Sequence, residues 1–144
     1  MKPVDFVKAL GIAILVMVVD LACAFATVSI WAMMTGQEGL NPSDPGVIEM
    51  SSLSTRVCGP LLFALFVWIF QRRRMDRSGL GFALAVFAFY VLIDWGVGAV
   101  AAKADPAAPS AAETMLEPAV LMTMALKLLG TLVGARLARP RIRD

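Results

Sequence analysis

Four ionisable side chains lie inside otherwise apolar stretches of this chain, and they have the greatest capacity for chemistry. They are Asp20, Arg56, Asp94 and Lys127. A charge at the centre of a lipid bilayer costs at least about 2.5–3.5 kcal/mol on insertion scales, so it is tolerated mainly where it faces protein groups or water. These residues are therefore candidates either for structural ion pairs or for a proton or ion pathway.

The helical rise of about 1.5 Å per residue predicts how deep each charge lies, counted from the end of its stretch that is predicted to be cytoplasmic. By this rise Asp20 lies about 18 Å and Lys127 about 13 Å into the apolar layer, and the long lysine side chain extends further. Asp94 and Arg56 lie at about 22 Å and about 21 Å. Depth therefore predicts two neutral pairs, Asp20 with Lys127 and Asp94 with Arg56, provided that the helices concerned are neighbours.

Small and polar residues surround Lys127 at helical spacing. They include Thr123, Gly130 and Gly134. A Gly-x-x-x-Gly pattern permits close approach of two helices in a membrane, although the pattern alone is common. Its position on the same face as Lys127 predicts that this face packs against another helix of the chain rather than against lipid.

A tyrosine accompanies the second aspartate. Tyr90 precedes Asp94 by one helical turn. We therefore expect the Tyr90 hydroxyl to donate a hydrogen bond to the Asp94 carboxylate, and we group Tyr90 and Thr123 as supporting polar residues.

Two interpretations of the four charges stay open. In the first, they are structural pairs that fix helix register. In the second, Asp20 or Asp94 titrates as part of a proton or cation pathway, with Lys127 or Arg56 as the displaced counter-charge. Two acids matched by two bases form a neutral set, and an acid held by a base is a poor proton carrier near neutrality, which slightly favours the structural interpretation.

Enzyme chemistry finds little support in the residue types. The chain has no histidine, which excludes bis-histidine haem, the common zinc sites and histidine-based acyl transfer. The two aspartates lack the Gly-x-Gly-Asp motif of intramembrane aspartyl proteases. The methionines are scattered, and core packing explains them better than copper passage. We therefore expect no catalytic residues, no cofactor and no metal.

Composition and apolar length indicate a membrane protein. Hydrophobic residues make up 59% of the 144 residues and charged residues 17%, whereas soluble domains carry about 25% charged residues. About 20 apolar residues cross a bilayer, and the sequence predicts spans at about 9–34, 51–70, 79–102 and 116–137. We expect Ser51 or Ser52 to cap the second helix and Pro118 to lie in the first turn of the fourth.

Basic residues predict the orientation of these spans. Ten of the thirteen lysines and arginines lie in the N-terminal segment, the loop between the second and third spans, and the C-terminal tail. Because basic residues concentrate on the cytoplasmic side, both termini are predicted to be cytoplasmic. The loop contains Arg72, Arg73, Arg74 and Arg77. Topology control explains these arginines, and binding of anionic lipid headgroups is the alternative.

The sequence thus predicts an all-α, four-helix up-and-down bundle in a bacterial inner membrane, with one domain over residues 1–144. Short connections place consecutive helices side by side. The expected role is that of a non-enzymatic accessory or assembly protein, and the alternative is a small proton- or cation-coupled transporter. The expected partners are the lipid bilayer and a second copy or a larger membrane protein, but not nucleic acid.

Overall fold

The chain folds into helices joined by short connections. The computed structural model describes residues 3–37, 41, 44–72, 79–104 and 110–138. The helices of this described part are α1 Pro3–Thr35, α2 Pro45–Arg72, α3 Gly79–Ala104, α4 Ala111–Leu116 and α5 Pro118–Leu137. Four of them, all but the short α4, are long and apolar enough to cross a membrane. The predicted all-α bundle is confirmed.

Helix α1 is the longest, with 33 residues. It ends at Gly36, whose φ of 68° is the left-handed conformation that glycine adopts without steric cost. The backbone N–H of Gln37 then donates to the carbonyl of Ala32 at 3.1 Å, which satisfies a free carbonyl of the last turn. The first apolar stretch is therefore a single continuous helix with a glycine stop.

Helix α2 begins earlier than predicted. The Asp44 carboxylate accepts a hydrogen bond from the N–H of Gly46 at 2.8 Å, and Pro45 occupies the first helical position. An aspartate cap followed by proline is a favourable helix start. The prediction that Ser51 or Ser52 caps this helix was wrong, because both serines lie inside it. The helix starts instead at Asp44-Pro45-Gly46, three residues that are also frequent in turns.

The last span is preceded by the short helix α4, which occupies part of the predicted linker. The Ser110 hydroxyl accepts from the N–H of Glu113, and the Glu113 carboxylate accepts from the N–H of Ser110 at 2.9 Å. The hydrogen bonds from the hydroxyl and backbone of Ser110 hold the pKa of Glu113 below its ordinary value. Pro118 then occupies the first turn of α5, as predicted.

The four long helices form a ring in the order α1, α2, α5, α3. Helices α1 and α3 run in one direction, and α2 and α5 run in the other. Consecutive helices are neighbours for α1 with α2 and for α3 with α5. Helices α2 and α3, however, face each other across the diagonal, so the expectation that all consecutive helices are adjacent was wrong at this connection.

The contact between α2 and α5 explains this order. Gly130 lies against the carbonyl of Pro60, and Gly134 against the carbonyl of Ala64, so closely that a Cβ at either glycine would overlap the α2 backbone. The Gly-x-x-x-Gly face of α5 therefore packs inside the protein, as its coincidence with Lys127 predicted. Two parallel helices in such close contact leave α3 on the far side of the bundle from α2.

Aromatic side chains fill the space across that diagonal. The Phe63 ring lies 4.9 Å from the ring of Tyr90 and 6.1 Å from that of Phe87, both edge to face. The buried cluster around Phe63 comprises Ala9, Ile12, Ala13, Val16, Phe63, Phe82, Val86 and Tyr90. We call this part of the bundle, between Tyr90 and the Arg72 end, the packed half.

Candidate functional site

A buried polar cluster lies at the boundary of the packed half, and we call it the Asp20 cluster. It consists of Asp20 on α1, Tyr90 on α3 and Lys127 on α5. The Lys127 Nζ lies 2.8 Å from the Asp20 Oδ2 and 2.5 Å from the Tyr90 Oη. Exposed fractions are only 6% for Asp20, 4% for Tyr90 and 2% for Lys127. A charge-assisted contact of this kind, removed from water, ties three helices together at one level.

The stem of Lys127 reaches the cluster because the facing helix has no side chain in its way. A Cβ at Gly59 of α2 would lie 2.6 Å from the Lys127 Cε. The Thr131 hydroxyl donates to the Lys127 carbonyl at 2.8 Å, and Thr131 is fully buried. Sequence reasoning did not identify Gly59 as a site residue. The available signal was a glycine before Pro60 inside a predicted span, a pattern that is equally typical of a helix kink.

The first predicted pair, Asp20 with Lys127, is confirmed.

The predicted partner of Tyr90 was wrong. Its hydroxyl donates to the Asp20 Oδ2 at 3.4 Å, and no hydrogen bond joins it to Asp94 in the described residues. The reason is the direction of helical side chains, which tilt toward the N-terminus of their own helix. Tyr90 therefore leans toward the packed half, away from Asp94 one turn further on.

Beyond the Asp20 cluster the bundle contains a cavity of about 800 Å³, which we call the central cavity. It extends from Lys127 to Glu117 at the start of α5, about 15 Å at the helical rise of 1.5 Å per residue. Its wall is largely apolar, with Met17, Leu21, Ala24, Val47, Ile48, Val97, Val120 and Met124 among its lining residues. Above the cluster the helices are therefore less closely packed than in the packed half, and the cavity is partly open, since Leu21 and Val97 in its wall are exposed.

The other two predicted charges line this cavity without pairing. Arg56 and Asp94 are both half-buried in its wall, yet within the described ranges no ion pair joins them. The Arg56 Nε is buried and has no hydrogen-bond partner there. The second predicted pair is therefore not formed in the structure. Arg56 lies on α2 and Asp94 on α3, the two helices of the diagonal.

Geometry explains why these charges remain separate. Neighbouring helix axes lie 8–10 Å apart, so diagonal helices of a square bundle are separated by roughly 11–14 Å. Asp94 follows Tyr90 by one turn, and Arg56 precedes Gly59 by nearly one turn on a helix of opposite direction. By the helical rise of about 1.5 Å per residue, both charges lie about one turn above the Asp20 cluster, and both line the central cavity.

Two further polar contacts involve serine and threonine side chains. The Thr123 hydroxyl donates to the Ala119 carbonyl of its own helix at 2.8 Å, so this predicted supporting residue faces the cavity but does not bond the cluster. The Thr27 hydroxyl lies 3.1 Å from the buried Ser54 hydroxyl and joins α1 to α2. This second contact was not predicted, because serine and threonine are too frequent in spans to be distinctive.

The predicted headgroup and topology residues are only partly described. The Arg72 guanidinium lies 5.3 Å from the centre of the Trp68 ring, a cation–π arrangement at the end of α2. Arg73, Arg74 and Arg77 lie outside the described residues. The assignment of this end to the cytoplasm therefore stays a prediction.

Four apolar crossing helices and a buried Asp–Lys pair define a small multi-pass membrane protein. Compared with protein-family models, with curated proteins and with solved structures, the chain matches none. The Asp20 cluster and the central cavity are therefore the features that bear on its function.

Proposed function

We propose that this chain is a non-enzymatic membrane protein with an accessory or assembly role, in which the Asp20 cluster holds the helices in a single packing. One observation carries this proposal: the opposite charges of Asp20 and Lys127 neutralise each other inside the bundle. Both side chains are almost fully buried, and Tyr90 contacts both.

The cluster suits a structural role because its members come from three helices. A shift of α1, α3 or α5 by one residue would separate the charged atoms. A buried ion pair contributes little net stability but penalises every arrangement in which one charge is left alone. The cluster thus selects one register among the many that apolar helices can adopt in lipid.

The residue chemistry supports a role without catalysis. The chain lacks histidine, and the Asp20 Oδ2 already accepts hydrogen bonds from Lys127 and Tyr90. A protease dyad requires two carboxylates that share a proton, whereas Asp20 is held by a lysine. We accordingly propose that the protein acts through its shape, in the membrane, with a second copy or a larger membrane protein as partner.

The structural role is tested with D20N, K127M and the double variant D20N/K127M, together with K8M as the matched control. Lys8 is exposed on α1. Removal of one member of a buried pair costs about 3–5 kcal/mol, because the remaining charge is left unpaired. We expect each single cluster variant to lower the melting temperature in detergent, the double variant to recover part of the loss, and K8M to match the wild type. Unchanged melting of the single variants would contradict the structural role.

The accessory role is tested separately by the size of the native assembly. Membranes containing the chain at its natural level are solubilised in a mild detergent, and the mass of the complex is measured by native mass spectrometry. We expect a complex with a second copy or with a larger membrane protein. A lone monomer in every mild detergent would contradict the accessory role without affecting the structural role of the Asp20 cluster.

A second candidate function is a small coupled carrier, and the central cavity favours it. The cavity ends at Asp20 and Lys127, so an entering cation or proton would meet the ion pair directly. If the protein is such a carrier, a K127M variant that folds normally should show no coupled uptake into liposomes. The K8M variant should show the same uptake as the wild type. Absence of any gradient-driven uptake across a panel of ions and solutes would exclude this candidate.

A further inference from the structure

We propose that the central cavity is a binding site for a zwitterionic amphiphile. Such a ligand has an anionic group for Arg56, an ammonium group for Asp94 and an apolar part for the remaining wall. The inference goes beyond the structural role of the Asp20 cluster, and it holds whether or not the ligand is then carried across the membrane.

The charges of the cavity determine the charge of the ligand. Asp20 and Lys127 neutralise each other, and Glu117 at the mouth is exposed to water. Arg56 and Asp94 are left, each half-buried and without an ion pair in the described part of the chain. A partly desolvated charge favours an opposite charge close by. An anion alone would leave Asp94 uncompensated and a cation alone would leave Arg56, so a ligand with both groups fits best.

The position of the two charges determines how the ligand lies. Arg56 and Asp94 occupy one layer on opposite sides of the cavity, one turn above the Asp20 cluster. A guanidinium binds a carboxylate or phosphate through two parallel hydrogen bonds, which a lysine cannot do. The zwitterionic head therefore bridges α2 and α3 across the diagonal, where no direct contact between Arg56 and Asp94 exists.

The wall and the volume determine the rest of the ligand. Apolar side chains line most of the cavity, and ligand pockets of about 300–1,000 Å³ accept molecules of drug size. The volume of about 800 Å³ therefore accommodates an apolar chain beside the charged head. Two sources share this chemistry: an amino acid or short peptide with apolar side chains, and a phospholipid with an ethanolamine headgroup.

The test uses the full chain in nanodiscs, with binding measured by calorimetry and by melting temperature. The free probes are leucyl-leucine, its N-acetyl derivative, which lacks the ammonium, and its amide, which lacks the carboxylate. The lipid probe is phosphatidylethanolamine compared with phosphatidylglycerol, with the retained lipid counted by native mass spectrometry. We expect either leucyl-leucine or phosphatidylethanolamine to bind at least about tenfold more tightly than its singly charged counterparts, because an unmatched buried polar group is strongly rejected.

Two variants and two matched controls assign the binding to the cavity. R56Q should abolish the preference for the free anionic group, and D94N the preference for the ammonium. R136Q and E49Q remove charges from exposed residues outside the cavity wall, and both should bind as the wild type does. Binding that ignores the ligand's charges, wild-type binding by both R56Q and D94N, or no binding of either probe class would overturn the proposal. Each of these results leaves the melting behaviour of the Asp20 cluster variants unaffected, so the two proposals fail separately.

Discussion

Gly59 and Lys127 meet where the α2 backbone and the α5 side chain approach most closely. A Cβ at position 59 would lie 2.6 Å from the Lys127 Cε and 3.5 Å from the Asp20 Oδ1. Because Gly59 has no side chain, the stem of Lys127 can pass beside α2 and reach Asp20. A residue without any functional group thus determines whether the ion pair can form.

We expect G59A to displace the lysine stem and weaken the Asp20 cluster. Insertion of a methyl group into a well-packed site costs about 1–3 kcal/mol, so a lower melting temperature in detergent is expected. G11A provides the control, since nothing lies within 4 Å of a Cβ built at Gly11. Replacement of glycine by alanine inside a helix otherwise stabilises it by roughly 0.5–1 kcal/mol. Equal melting of the two variants would contradict the role assigned to Gly59.

The G130A variant should be more damaging than G59A. At Gly130 the obstacle is the Pro60 carbonyl in the α2 backbone, which cannot rotate away as a lysine stem can. The two helices must then separate, and the loss should exceed the range of about 1–3 kcal/mol for ordinary overpacking. The measurement is the fraction of folded, monodisperse protein after size-exclusion chromatography, with G96A as a control in open surroundings. Normal folding of G130A would show that α2 and α5 tolerate separation.

The Y90F variant tests the hydroxyl while keeping the ring. The Tyr90 Oη lies 2.5 Å from the Lys127 Nζ, and the Nζ also lies 4.6 Å from the centre of the Tyr90 ring. Loss of a buried hydrogen-bond partner costs about 1–3 kcal/mol, so Y90F should melt below the wild type. In the D20N/K127M background the same change should cost much less, because both charged partners of the hydroxyl are gone. Equal cost in both backgrounds would exclude coupling between Tyr90 and the Asp20–Lys127 pair.

Cysteine labelling tests the predicted orientation together with the cavity. With Cys23 and Cys58 replaced by alanine, T55C places a thiol on the cavity wall and S54C places one in a buried position. If both termini are cytoplasmic, a membrane-impermeant maleimide added to intact cells should modify T55C much faster than S54C. Modification of T55C only in inverted vesicles would reverse the predicted orientation.

The short helix α4 should respond to acid. The folded pKa of Glu113 is lowered by its bonds with Ser110, so this contribution is fully present above the unfolded glutamate value of about 4.3. It is lost as the pH falls through the lower, folded pKa. The protection of the Glu113 amide, measured as its exchange rate relative to an unstructured peptide at the same pH, should therefore fall in acid below that value. E113A should show the lower protection already at neutral pH and lose the acid dependence, whereas retention of that dependence would assign it to another group.

The position of a residue along its own helix was easier to predict from the sequence than its contacts with other helices. Hydropathy predicted four helices long enough to cross a membrane, although α2 begins earlier than expected. Helical rise predicted the pairing of Asp20 with Lys127, since the level of each residue depends only on distance along one helix. The partners of Arg56 and Tyr90 were not predicted correctly. They depend on which helices are neighbours and on the tilt of each side chain, and apolar sequences carry little information about either.

The start of α2 and the role of Gly59 were not predicted because each sequence pattern is compatible with two local structures. Asp44-Pro45-Gly46 is compatible both with a turn and with a helix cap, and only the hydrogen bond from Gly46 to Asp44 distinguishes them. Gly59 before Pro60 is compatible with a kink as well as with a contact. At Gly59 the sequence supplies the residue, while a neighbour distant in the chain, Lys127, decides its role.

The interlocked glycine faces of α2 and α5 restrict how this protein can change shape. Because Gly130 and Gly134 lie against the α2 backbone at Pro60 and Ala64, we expect the two helices to move as a unit. A rearrangement of the interior would then rock this unit against α1 and α3 and break the salt bridge between Lys127 and Asp20.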